Sequence, residues 1–135
     1  MGATSDGEVR LAGDGLPELP SMPPPEFDGP GGYWSPETLL VAAVADCFTL
    51  GFRSIARASR LEWSELTAEV NGVLERIDGV VRFTRFDTHA RLVVPARTDP
   101  ARARALLEKA EKFCLISNSL SATRHLECDV IEEEP

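Results

Sequence analysis

The sequence predicts an α+β domain, and three signals carry that expectation. Ser35-Pro36-Glu37 opens a long apolar run from Leu39 to Phe52, which reads as a central helix. Asp78-Gly79 separates two runs rich in Val, Phe, Thr and Leu, the preferred type I′ hairpin signal. Thr98-Asp99-Pro100 precedes Ala103, Leu106, Leu107, Ala110 and Phe113 at helical spacing, which predicts a second helix. At 135 residues the chain is expected to be one domain over 1–135, able to bury a core without a disulfide or metal.

The elements follow in order. Val9–Leu11 and Leu16–Leu19 flank Gly13-Asp14-Gly15, a short hairpin by its turn residues. Pro23-Pro24-Pro25 and Gly29-Pro30-Gly31-Gly32 suit neither a helix interior nor a central strand. Ser35 can cap, Pro36 suits the first helical position, and Glu37 favours the positive end of the helix dipole. The helix is expected over Pro36 to Ser59, with Arg53, Arg57 and Arg60 at its C-terminal end. Leu66–Ile77 and Val80–Val94 are expected to be long strands of the kind that carry bulges. Ser117 to Thr123 reads as a polar connection, and Leu126 to Ile131 as a half-buried antiparallel strand. The resulting order is ββ, long helix, ββ, helix, β.

The central helix is apolar on nearly all faces, interrupted by Asp46 and Thr49. Such a helix is expected to be buried all round. Two hairpins and one further helix are too little cover, so a second copy of the chain is expected, as an intimate homodimer.

A net charge of −8 argues against nucleic acid and against anionic membrane surfaces as partners. The longest unbroken apolar run, Leu39 to Ala45, is too short to span a bilayer. Three cysteines is an odd number and no secretory signal opens the chain, so a cytoplasmic protein without structural disulfides is expected.

Chemistry is suggested by Cys47, inside the first helix, and Cys114, which closes the second helical run. Each alone is more readily a small core hydrophobe. Together they suggest dithiol redox chemistry. A reactive thiol needs a nearby cation or amide dipoles, and neither cysteine is read as lying at a helix N-terminus. Glu37 is adequately explained as a first-turn carboxylate. Ten residues of helix span about 15 Å, so any Glu37 contact with Cys47 would have to cross between subunits.

Phe27-Asp28-Gly29-Pro30-Gly31-Gly32, then Ser35-Pro36-Glu37-Thr38-Leu39-Leu40 with Cys47-Phe48, resembles the signature of the OsmC/Ohr family. Ala110-Glu-Lys-Phe-Cys114-Leu-Ile-Ser117-Asn-Ser is similar to its second cysteine motif. The resemblance implies an α+β fold in an intertwined homodimer with active sites at the interface, and a thiol peroxidase of organic hydroperoxides. It makes Cys47 the peroxidatic cysteine, Cys114 the resolving cysteine, and Glu37 the carboxylate that orients an arginine. Cys47 thiolate would attack the O–O bond and become a sulfenic acid, Cys114 would condense with it, and an external dithiol would reduce the disulfide. No cofactor is implied.

The chain departs from the family at the arginine, whose position falls near Ser5. Arg10 in the same hairpin is the nearest substitute; a solvated strand-edge arginine is its other reading. A member without peroxidase activity, binding an apolar small molecule at the interface or sensing redox state, is the rival function. Phe48, Phe52 and Phe113 could wall an apolar substrate site or simply pack the core. Cys128 reads as core, Trp34 and Trp63 as packing anchors, and Asp46 as facing the dimer seam or pairing with an arginine. His89 and His125 lack metal spacing.

Overall fold

The computed structural model describes residues 1–135 and contains two compact units, Met1–Leu40 and Val41–Pro135. The first unit holds a two-stranded antiparallel sheet of β1 (Val9–Leu11) and β2 (Leu19–Ser21), with Val9 opposite Ser21. The hairpin is therefore present, but its second strand starts at Leu19, the last residue of the expected Leu16–Leu19, and runs to Ser21. Gly13, Gly15 and Pro17 fall in the loop, where positive φ at Gly15 is accommodated without a Cβ. A 3₁₀ turn follows at Pro25–Phe27.

Helix α1 (Pro36–Ala58) begins in this unit and continues into the second. Its start is a reciprocal cap. Thr38 N–H donates to Ser35 Oγ at 3.1 Å, and Ser35 N–H donates to Thr38 Oγ1 at 2.8 Å. Thr thus takes the place that Glu or Gln holds in the usual capping box. Ser35 is buried, so its hydroxyl cannot be replaced by water. Ser35→Ala is expected to cost about 1 kcal/mol, read as a lower denaturant midpoint with an unchanged slope.

The second unit is built on a three-stranded sheet in the order β3 (Glu65–Ile77), β4 (Val80–Val94), β5 (Thr123–Glu132). Strands β3 and β4 form the expected hairpin, with Asp78 at φ 50 and Gly79 at φ 80. Both are left-handed, as a type I′ turn requires. The expected irregularity is a register shift between Val73 and Leu74.

Strand β5 corrects the expectation of an antiparallel strand: it starts earlier, at Thr123, and pairs parallel to β4, Arg85 opposite Thr123 through Val94 opposite Glu132. The reason is the connection. Helix α2 (Pro100–Lys112) is a crossover that carries the chain back to the start of β4, and only a parallel strand can follow it. Asp99 caps α2, accepting from Ala101 N–H at 3.0 Å. A one-turn helix, α3 (Leu115–Asn118), overlaps the start of the expected polar connection, Ser117 to Thr123.

Alternate residues of β4 (Thr88, Ala90, Leu92, Val94) are buried, and the core gathers Ala90, Leu92 and Val94 with Phe48, Phe52 and Ala56 of α1 and Ala103, Leu107 and Ala110 of α2. Phe52 meets Trp63 edge to face, with ring centroids 5.4 Å apart. Trp63 is thus the packing anchor expected, whereas Trp34 is exposed. A Cβ on Gly72 of β3 would lie 3.0 Å from Val41 Cγ2 and 2.7 Å from the Phe83 ring, so the absent side chain lets α1 approach the sheet.

Within one chain α1 is not buried all round. Only Val44, Phe48, Phe52 and Ala56, one stripe at fourfold spacing, are covered, and Leu50 is 48% exposed. By length and composition the whole helix could cross a bilayer. Its buried stripe instead packs in the core with strand and helix residues of the second unit.

Candidate active site

Cys47 lies midway along α1, half-buried, in a groove of about 520 Å³. One wall is α1 itself: Ala43, Asp46, Leu50 and Gly51 share the Cys47 face because they stand three or four residues apart or adjacent. The other wall is Phe113, Leu115 and Ile116, from the corner that follows α2. Leu50, Phe113 and Leu115 are exposed apolar side chains, at 48%, 62% and 67%. Of the three phenylalanines proposed as an apolar wall, only Phe113 lines the groove. Phe48 and Phe52 are fully buried in the core, because they fall on the opposite, sheet-facing stripe of α1. Asp46 is exposed at the groove, makes no ion pair, and is its one charged lining residue.

Cys114 is buried at the corner between α2 and α3. Its extended backbone (φ −65, ψ 109) makes it the N-cap of α3, which corrects the reading that neither cysteine stands at a helix N-terminus. A one-turn helix led by Cys, which is not among the preferred caps, leaves no capping signal in sequence. The Cys114 C=O accepts from Asn118 N–H at 2.9 Å, and Cys114 N–H donates to Glu111 O at 3.3 Å.

Cys47 and Cys114 are free thiols and neighbours, close enough for Cys47 to influence the titration of Cys114. Burial pushes the Cys114 thiol up from its ordinary range, opposed by the Ser117 hydroxyl and amide, while Cys47 adds to the rise. The Ser117 hydroxyl is buried and forms no fully aligned hydrogen bond, so its proton can turn to a Cys114 thiolate. Sequence reasoning passed over Ser117, although its place three residues after Cys114 is that of an N3 donor to an N-cap.

A raised thiol pKa favours the protonated, folded form. The associated stability is complete below the unfolded-state pKa and is lost as pH rises from there through the folded value. At pH 7 iodoacetamide is therefore expected to label Cys47 ahead of Cys114, with Cys114 labelling speeding up as pH climbs beyond the ordinary thiol range. Peptide mass spectrometry reads both rates, and Cys114 labelling first would contradict this geometry.

In the first unit, Glu37 Oε2 is buried without a hydrogen-bond partner. Glu37 lines an apolar groove of about 500 Å³ with Val9, Leu11, Met22, Phe27 and Leu39 among its walls. Arg10 is exposed on β1 and forms no ion pair with Glu37 or any other carboxylate. Glu37 and Cys47 ride on one unbroken helix.

Cys128 is half-buried against the core, and burial raises its thiol pKa. His89 Nε2 lies 2.7 Å from Asp129 Oδ2 on the exposed side of the sheet. That hydrogen bond raises the imidazole pKa; desolvation opposes it, and the charges of Asp129, Glu127 and Glu69 add lesser upward contributions. No group of three His, Cys, Asp or Glu side chains has a metal-holding arrangement.

The sequence profile of the family described as OsmC-like protein matches residues 29–129, about three quarters of the chain. The chain belongs to the OsmC-like family. This OsmC-like protein is 28% identical over 109 residues to the uncharacterized protein YmaD of Bacillus subtilis (strain 168), a match covering 78% of this chain and 73% of YmaD. Its fold matches an OsmC-like protein of unknown function from Vibrio cholerae O1 biovar eltor with a TM-score of 0.82 at 22% identity, covering 90% of this chain and 84% of that one. It also matches an organic hydroperoxide resistance protein from Elizabethkingia anophelis, with a TM-score of 0.72 at 20% identity and coverage of 98% and 99%. For the organic hydroperoxide resistance protein OhrB of Bacillus subtilis the values are 0.65, 18%, 92% and 96%. At these identities the structural likeness is one of fold.

Proposed function

We propose that this OsmC-like protein is a thiol peroxidase that reduces organic hydroperoxides, with Cys47 as nucleophile and Cys114 as resolving thiol. The observation that carries the reading is that Cys47, which lines an apolar groove, neighbours Cys114, buried behind the groove's Phe113 and Leu115 wall on a separate element. Cys47 thiolate attacks the distal oxygen of ROOH. The O–O bond breaks, ROH leaves with a proton from solvent, and Cys47 becomes a sulfenic acid. Cys114 thiolate then attacks the Cys47 sulfur, the S–O bond breaks, and hydroxide leaves to be protonated as water. An external dithiol reduces the disulfide by exchange and is itself oxidised.

The groove favours organic peroxides. Leu50, Phe113, Leu115 and Ile116 offer an alkyl or aryl group an apolar surface that hydrogen peroxide cannot use. We also propose a homodimer, supported by the uncovered apolar face of α1 at Leu50 and the exposed Phe113 and Leu115. In it, the unpartnered Glu37 carboxylate would take a cation, for which Arg10 is the candidate. The proposed place of work is the cytoplasm.

One observation favours the rival, an apolar-ligand carrier or redox sensor: no cation lines the Cys47 groove. Purified protein with cumene hydroperoxide and a dithiol decides between them. The peroxidase reading predicts sustained peroxide loss, faster with cumene hydroperoxide than with hydrogen peroxide. Absence of turnover would leave the rival.

A further inference from the structure

Both main-chain groups of Cys114 bond to residues that one side chain grips. Cys114 N–H donates to Glu111 O, and Cys114 C=O accepts from Asn118 N–H. Arg124, at the start of β5, reaches across to both of those residues. Its Nε donates to Glu111 Oε1 at 2.7 Å, its Nη2 to Glu111 O, and its Nη1 to Asn118 Oδ1 at 2.6 Å. Asn118 Nδ2 closes the ring by donating to Lys112 O at 3.2 Å.

This is unlike an ordinary surface ion pair. The Arg124 and Glu111 side chains are only 25% and 15% exposed, and the fork of the guanidinium meets three acceptors in a fixed arrangement. The acceptors flank Cys114 on both sides in sequence, whereas Arg124 is held by the parallel pairing of β5, opposite Phe86 of the buried central strand. The corner carrying Cys114 is thus tied to a strand paired with the central strand of the sheet. Two thiols react at a rate and to an extent set by how often they meet in register. A corner free to move would lower that frequency without removing either sulfur.

We propose that Arg124 is the positioning residue for the Cys47–Cys114 disulfide, clamping Glu111 and Asn118 so that the Cys114 sulfur is held against Cys47. This rests on the reading of Cys47 and Cys114 as a reacting pair. Arg124 touches neither the peroxide nor the sulfurs; it acts through the backbone of the corner.

The full-length protein is equilibrated with mixtures of reduced and oxidised dithiothreitol, and the Cys47–Cys114 disulfide is quantified by alkylation and mass spectrometry. In this exchange the two protein thiols lose two electrons and two protons to oxidised dithiothreitol. Arg124→Ala is expected to lower the equilibrium constant for disulfide formation about tenfold, equivalent to about 30 mV for the two-electron couple. Freeing the backbone of roughly one residue is enough for an effect of this size. Arg124→Lys, which keeps the charge and loses the fork, should fall in between. Asn118→Ala should lower the constant about threefold, and Arg85→Ala, which breaks an exposed pair with Asp87, should stay within twofold of the unsubstituted protein.

An Arg124→Ala constant within twofold, even with a lowered urea midpoint, would overturn the proposal and leave Arg124 a structural residue. If Arg124→Ala does not fold, Asn118→Ala decides, because it removes only the two exposed contacts of the Asn118 side chain, to Arg124 and to Lys112 O; no change there overturns the proposal. The measurement uses no peroxide. A disulfide that responds to Arg124 in a protein that consumes no hydroperoxide would sink the peroxidase reading alone, while intact turnover with an unresponsive disulfide would sink only the clamp.

Discussion

Cys47→Ser is expected to lower dithiol-supported consumption of cumene hydroperoxide by at least about 10³-fold, because the serine hydroxyl stays protonated and is a poor nucleophile at neutral pH. Cys114→Ser should behave differently. Its first equivalent of peroxide is reduced at near-normal rate, and the Cys47 sulfenic acid then has no partner thiol. It should accumulate, be trapped by a dimedone-type reagent, and proceed to the sulfinic acid under excess peroxide. The contrast matters because the two thiols are neighbours, and only Cys47 lines the groove. Loss of chemistry in one variant and loss of resolution in the other assigns the roles. Equal effects of the two substitutions would remove the distinction between nucleophile and resolver.

Phe52→Ala is expected to destabilise the protein by about 3–5 kcal/mol, through lost burial and the cavity left behind. Phe52 is fully buried, joins α1 to the sheet, and loses its edge-to-face contact with Trp63 on substitution. For a chain of this size that is a fall in melting temperature of roughly 10–20 °C. Thermal unfolding of the reduced protein measures it. The preference for cumene hydroperoxide over hydrogen peroxide should persist in the fraction that remains folded, because Phe52 does not line the groove. Phe113→Ala should show the reverse: little change in melting temperature, since the side chain is 62% exposed, and a narrowed preference between the two peroxides.

These two phenylalanines show what could be read from sequence. The start of α1 was legible because its information is local: Ser35, Pro36 and Glu37 mark it, although the part of Thr38 in the cap is visible only in the structure. Asp78-Gly79 was legible for the same reason, as both residues take left-handed backbone. The sequence did not say which α1 residues face the sheet, because the helix is apolar on nearly every side and the pattern has no phase. Phe48 and Phe52 therefore looked as suitable for a substrate wall as Phe113. The direction of β5 depends on the crossover through α2, a relation between elements that alternation within the strand does not record.

The candidate site was legible in part. Cys47, Cys114 and Glu37 stand in motifs; Ser117 acts locally but on an N-cap that leaves no capping signal, whereas the Arg124 contacts arise through tertiary approach. Glu111 and Arg124 are joined only because β5 returns beside β4. Nothing in their types or spacing marks them. Arg10 remains a strand residue with no ion pair.

The central claim is that Cys47 and Cys114 form one peroxide-driven dithiol couple. The direct measurement is a titration of the reduced protein with cumene hydroperoxide, counting remaining thiols and mapping disulfides by non-reducing peptide mass spectrometry. One equivalent of peroxide should remove two thiols together, release one equivalent of cumyl alcohol, and yield a Cys47–Cys114 peptide with Cys128 still free. Thiols that survive the peroxide, or a disulfide that joins Cys128 in place of Cys114, would contradict the account.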